Sequence, residues 1–235
     1  MLTEICNRLG IDVPIFAFSH CRDVVAAVTN AGGIGVLGAT TLSAAALEID
    51  LTWLDNETKG KPYGVDLLLP TTFARPLADD DGAASAASFP AEYQTFVAQL
   101  LKRYQVPELP EHIPAQSGSI SVSPESASKL LDVAFEHPIR LVASALGPPT
   151  AELIERAHAH NVVVAALVGT AEHARRQKAA GVDLIVAQGT EAGGHTGTIS
   201  TMVLVPEVVR EVAPTPVLAA GGIVTGRQMA AAIAL

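Results

Sequence analysis

From Arg140 onward the chain repeats one pattern, a short unbroken apolar run followed by a stretch with helical spacing, and that repetition leaves few folds open. "IRLVASAL" precedes "GPPTAELIERAHAH", "NVVVAALVG" precedes "TAEHARRQKAAG", "VDLIVAQG" leads through a loop to "TMVLVPEVVREVA", and "PVLAAGG" precedes "IVTGRQMAAAIAL". Runs that are apolar throughout, without polar alternation, mark parallel strands covered on both faces. Thr150, Thr170 and Thr225 stand where helix N-caps are needed, and Gln228, three positions after Thr225, completes a capping box. Right-handed β-α-β units in series build either an open doubly wound sheet or a (β/α) barrel.

The N-terminal half holds the same elements less regularly. "VPIFAF" and "GIGVLGA" read as strands flanking a helix over Arg22–Asn30, and "KPYGVDLLLP" reads as a third strand. Strands are therefore expected near Ile15, Ile34, Val65, Leu141, Val163, Leu184 and Val217, whereas a TIM-type barrel has eight. The chain stops at Leu235 inside a helical pattern without a C-cap, so the expectation is a TIM-type (β/α)8 barrel truncated before its eighth strand. The expected organisation is one domain over 1–235 with a loop and helix insertion at about 71–122. Within it, the acidic and turn-prone stretch from Thr71 to Pro90 reads equally as an active-site cover or a solvated excursion, and "AEYQTFVAQLLKRYQ" reads as a helix.

Composition narrows the function classes. A formal charge of -9 with no Lys/Arg run argues against binding of nucleic acid or anionic membrane. Cys6 and Cys21 carry neither a disulfide framework nor a zinc motif, no His/Asp/Glu set has metal-ligand spacing, and no run approaches the roughly 18 apolar residues of a membrane span. The N-terminus lacks the order of a signal peptide, so a cytoplasmic, unanchored protein is expected. Exposed strand edges of an incomplete barrel would favour a homo-oligomer.

The stretch richest in chemistry is "VAQGTEAGGHTG", Val186 to Gly197. Its strand ends near Ala187, which places Gln188 to Gly197 at the carboxyl end, where parallel α/β folds build ligand sites. Gly193 and Gly194 let backbone N–H groups come close to a ligand, and His195 follows them. His195 reads either as a proton acceptor at neutral pH or as a surface loop histidine. Gly221 and Gly222 precede a helix N-terminus and suit a phosphate or a tight turn. Gly32, Gly33 and Gly35 lie on the opposite face and read as turn and packing glycines. His20 follows the first strand and is a weaker candidate, while His137, His158, His160 and His173 read as solvated or capping histidines. Asp79, Asp80 and Asp81 read as a solvated loop.

Taken in order, "NAGGIGVLGA", "AAGVDLIVAQGTEAGGHTG" and "PVLAAGGIVTGRQMAAAIAL" resemble the nitronate monooxygenase family, formerly 2-nitropropane dioxygenases. The resemblance implies a TIM-type barrel that binds FMN non-covalently and oxidises alkyl nitronates with O2 to carbonyl compounds and nitrite. It implies that His195 is the base that removes the proton α to the nitro group. Gln188, Gly193 and Gly194 would border the flavin, and Gly221 and Gly222 would hold its phosphate. Two positions depart from the family pattern. Ala17-Phe18-Ser19 stands where Ala-Pro-Met is usual, so Ala17 and Ser19 would take up that flavin contact. Asp66 replaces an asparagine, adding negative charge that would lower the flavin potential. Flavin-dependent enoyl reductases that consume NAD(P)H resemble the chain in the same segments, and a flavin-binding protein without turnover is the reading from a different class.

Overall fold

Among the described residues, seven strands pair side by side in a single parallel sheet, in the order in which the chain makes them. They are β1 (Phe16–Ser19), β2 (Ile34–Gly38), β3 (Gly64–Leu68), β4 (Leu141–Ala145), β5 (Val163–Val168), β6 (Leu184–Gln188) and β7 (Val217–Ala220). All seven lie where the apolar runs place them. The computed structural model describes residues 3–68, 91–107, 124–145 and 147–235. A doubly wound sheet reverses its strand order at a switch point, and this sheet never does, so the winding is that of a barrel.

The two sheet faces bury different clusters. On the inner face Ile34, Val36, Leu141, Ala143, Val163, Ala165 and Leu184 pack together with Ile5, Cys6 and Leu9 of α1 (Glu4–Leu9). These three side chains meet the first inward residues of β2, β4, β5 and β6, so α1 closes the amino-terminal end of the curled sheet. The ion pair of Arg8 with Asp183 ties it there. On the outer face Leu37, Val65, Leu67, Val142, Val164, Ala166 and Ile185 are covered by helices, among them α2 (Arg22–Asn30), α3 (Ala44–Thr58), α5 (Pro124–Phe135), α6 (Ala151–Ala159) and α8 (Thr201–Val212). Strands buried on both sides explain why the sequence runs show no polar alternation.

Local signals set the helix starts. The hydroxyls of Thr150 and Thr170 accept from the N–H groups of Leu153 (3.2 Å) and His173 (3.1 Å), opening α6 and α7 (Ala171–Ala179). Thr225 and Gln228 form the full capping box at the start of α9 (Gly226–Ala234). Helix α3 was not among the expected elements, although Ser43 caps it and Leu47, Leu51, Leu54 and Thr58 recur at helical spacing and are buried. The packing glycines behave as expected: a Cβ on Gly33 or Gly35 would lie 2.6 Å from the carbonyl oxygen of Ile15 or 2.3 Å from that of Val25.

His137 departs from expectation. Its side chain is only 7% exposed and its Nδ1 lies 2.7 Å from Asp55 Oδ2, while Nε2 lies 3.3 Å from Glu48 Oε2. The buried Tyr63 hydroxyl donates to Asp55 Oδ1 at 2.6 Å, and burial pushes that phenol well above its ordinary range. This cluster ties α3 to the segment entering β4, at the amino-terminal side of the sheet.

The chain divides into two compact units, Met1–Thr72 with Val122–Leu235, and Phe73–Ser121. In the second, the described residues form α4 (Ala91–Arg103), a helix where one was expected. The expected cover over 71–90 and the acidic run Asp79 to Asp81 lie outside the described residues. No described helix is long and apolar enough to cross a membrane.

Candidate active site

Residues Gly189 to Ser200 join β6 to α8 at the carboxyl edge of the sheet, and this loop is held at both ends. Near its start, Gln188 Nε2 donates to the Gly193 carbonyl (3.2 Å), Ala192 N donates to Gly189 O (3.1 Å) and Thr190 N donates to Ile199 O (3.0 Å). Near its end, Gly197 touches the β5–α7 turn so closely that a Cβ there would lie 2.7 Å from the Gly169 carbonyl oxygen. Between these anchors Gly193 and Gly194 face open space, Gly194 with φ +76, and His195 is exposed. Anchored ends with a free glycine crest present the imidazole to whatever covers the strand ends.

The turn after β7 lies alongside. Gly221 (φ +119) and Gly222 (φ +69) adopt left-handed backbone that other residues rarely take. A Cβ on Gly221 would fall 2.6 Å from Thr201 Oγ1 and 3.0 Å from Ala192 N, so the two loops touch through backbone. Among the described residues, the N–H groups of Gly221 and Gly222 donate to no acceptor. Consecutive free N–H groups in such a turn, beside a helix N-terminus, are the geometry that takes an anion.

Gln188, Gly193, Gly194, His195, Gly221 and Gly222 are thus gathered on two adjacent loops. Asp66 stands apart on β3, facing inward because Val65 and Leu67 face the helices, with Gly38 and Ala143 as its strand partners. It is 9% exposed, and burial pushes its carboxyl up to about 6, with the nearby His20 pulling the other way. His20 Nδ1 donates to the Gly38 carbonyl at 3.1 Å, which fixes the ring beside the strand that pairs with Asp66. Its place on the site's side of the sheet was legible only as the residue after the first strand. Ala17 lies on the face opposite Phe16, and Ser19 Oγ accepts from Cys21 N (3.0 Å), capping its own turn. The geometry does not bring those two to the glycine loops.

The raised Asp66 carboxyl has a stability consequence. Its proton is held more tightly in the folded chain than in the unfolded one, so stability is full below pH 4 and falls as pH rises toward about 6. Across that window the loss is about 3 kcal/mol, staying lost above it. Urea unfolding of Asp66→Asn at pH 4 and pH 7 is expected to lack this fall, and an unchanged pH slope would place its origin elsewhere.

A curled parallel sheet with its glycine loops, a free histidine and a buried carboxyl at the carboxyl ends defines an α/β-barrel protein with a ligand site in the strand-end position. The chain belongs to the nitronate monooxygenase family, whose model matches residues 11–235; the family is one of flavin-dependent oxidoreductases. Rv1533 of Mycobacterium tuberculosis, whose name assigns it to the monooxygenases without naming a substrate, is 58% identical over 240 residues, covering 100% of this chain and 63% of its own length. The nitroalkane oxidase structure from Streptomyces ansochromogenes is 27% identical with a TM-score of 0.72, over 99% of this chain and 64% of that one. FabK from Thermotoga maritima is also 27% identical, with a TM-score of 0.71 over 100% of this chain and 58% of that one. The chain therefore spans less than two thirds of the length of these relatives. The architecture is that of seven strands of a TIM-type barrel.

Proposed function

We propose that residues 1–235 form one FMN-binding barrel domain with an insertion at about 71–122, and that the protein oxidises alkyl nitronates with O2 to carbonyl compounds and nitrite. The observation that carries this reading is the β6–α8 loop, which leaves His195 exposed and touches, through Ala192 and Glu191, the turn that carries the free N–H groups of Gly221 and Gly222. Family membership and the likeness to a nitroalkane oxidase structure support it.

The residues present fit FMN. Ala143, Ala145 and Ala220 are small inward positions toward the carboxyl ends of β4 and β7 and leave room for a planar ring, while the space beside Gly38 is taken by the His20 and Phe18 rings. Gly221, Gly222 and the N-terminus of α9 would hold the phosphate. Gln188, Gly193 and Gly194 would border the ring, and the Asp66 carboxylate would lower its potential. The redox chemistry, electron transfer from substrate to O2, is what FMN supplies when bound.

His195 then takes the α-proton of a neutral nitroalkane, for which a neutral imidazole at the site suffices. A nitronate arrives already deprotonated and needs no base. The apolar floor excludes water from the anion, and backbone N–H groups of the glycine crest are the donors available to its oxygens.

Anaerobic mixing of the full-length, FMN-loaded protein with propyl-1-nitronate and propyl-2-nitronate tests the reading. Bleaching of the flavin absorbance, with nitrite released on readmitting air, is the expected result. No bleaching with either nitronate but rapid bleaching with NADH or NADPH would overturn it in favour of an enoyl-reductase-type reaction. Retained FMN that nothing reduces would leave a binding protein.

A further inference from the structure

Glu191 lies four residues before His195, and its Cβ and Cγ stand 3.1 and 3.7 Å from where a Cβ on Gly222 would be. Its Oε2 accepts from Thr201 N (2.9 Å), from Thr201 Oγ1 (2.9 Å) and from Thr190 Oγ1 (3.2 Å). Those bonds hold the carboxyl below the usual carboxylate range, led by the Thr201 N–H. Thr201 is the first residue of α8, and the residue in the N-cap position, Ser200, makes no side-chain cap bond. The carboxylate of Glu191, ten residues earlier, therefore supplies the missing cap and places a negative charge at the positive end of the helix.

Thr201 reaches the other loop as well. Its Oγ1 lies 3.1 Å from the Gly221 carbonyl oxygen and 3.4 Å from that of Ala220, so its single proton is shared between Glu191 and these carbonyls while the Thr201 N–H keeps the bond to Glu191. A Cβ on Gly189 would sit 2.3 Å from that same Oγ1, and one on Gly221 2.6 Å from it. Glycine on both sides thus lets one hydroxyl stand between the two loops, within hydrogen-bonding distance of each.

We propose that Glu191 is a positioning residue which, through Thr201, sets the His195 loop against the Gly221–Gly222 turn. The carboxylate replaces the local cap of α8, so the loop carrying the base and the turn offering free N–H groups share one fixed point. The inference rests on the function proposed above, because it is the place of His195 relative to a bound substrate that this fixed point controls. Loss of the clamp lets His195 drift by a fraction of its own size while leaving it in the protein.

Glu191→Ala, Thr201→Val and the double variant in the full-length protein test this, with Thr201→Ser as the variant that keeps the hydroxyl. Amide hydrogen exchange over 189–204 is expected to rise roughly tenfold in Glu191→Ala, as loss of one helix cap brings, to rise less in Thr201→Val, which keeps the capping N–H and loses the hydroxyl contacts, and to stay near wild type in Thr201→Ser. The double variant should exchange less than the product of the two single effects, because the Thr201 Oγ1–Glu191 contact is lost in both. Turnover adds a second readout. kcat/KM for neutral nitroethane should fall by about 100-fold, the cost of misplacing a base, while ethyl nitronate is turned over at nearly the wild-type rate. Unchanged exchange in Glu191→Ala, additive effects in the double variant, or equal losses on the two substrates would overturn the proposal. Should wild type turn over neither substrate, the functional reading fails, and the exchange and double-variant results still decide the role of Glu191.

Discussion

Replacing His195 by Asn is expected to cut turnover of neutral nitroalkanes by about 100- to 10,000-fold, the range a positioned general base contributes, and to spare turnover of the corresponding nitronates. The asymmetry follows from chemistry: a nitronate has already lost the proton that His195 would remove. The side chain is exposed on a loop whose anchors are Glu191, Gln188 and Gly197, none of which bonds to the imidazole, so melting temperature should not change. Initial rates of O2 uptake and nitrite release with nitroethane and ethyl nitronate, beside a thermal melt, check all three statements. Equal losses on both substrates would move His195 from proton removal to binding.

Gly35→Ala is expected to be the most damaging single methyl group in the sheet. Its Cβ would stand 2.3 Å from the Val25 carbonyl oxygen, 2.7 Å from Val25 Cα and 2.8 Å from Val25 C. All three are backbone atoms of α2, which rests directly on β2, and no side chain can swing aside to make room. Either the helix lifts from the strand, opening the packing around Val25 and Leu37, or the strand bends away from β1 and β3. We expect a loss of about 3 kcal/mol, the upper part of the range for overpacking a filled core. For a chain of this length that lowers the melting temperature by roughly 6–12 °C. Gly193→Ala, with nothing within 4 Å and no positive φ, is the matched control and should stay within about 0.5 kcal/mol of wild type. A small loss at Gly35 would mean that α2 moves more freely on the sheet than its contacts imply.

The two predictions also show what was readable before the structure. Gly35 and the His195 loop both stood out because glycine has a local meaning wherever it interrupts an apolar run. The strands were legible for the same local reason, and so were the caps at Thr150, Thr170 and Thr225, each of which bonds to a residue three positions on. Helix α3 was missed because "AAALEIDLTWLDNET" mixes acids among its leucines. Its core stripe is Leu47, Leu51 and Leu54 alone, narrow enough to escape a search for broad apolar periodicity. His137 was misjudged because its partners, Glu48 and Asp55, are 89 and 82 residues away.

By itself the sequence determined the unit of construction, a buried parallel strand followed by a helix, the number and place of the strands, and the face on which the glycine loops would gather. Those properties depend on residues within one strand or one turn of each other, where side-chain pattern and backbone freedom act directly. The tertiary structure decided the winding of the sheet, the closure of its amino-terminal end by α1, the burial that raises the Asp66 carboxyl, and the clamp from Glu191 through Thr201 to Gly221. Each of these joins groups that are distant along the chain. A carboxylate's partners and its loss of water are set only when the strands and helices around it have closed.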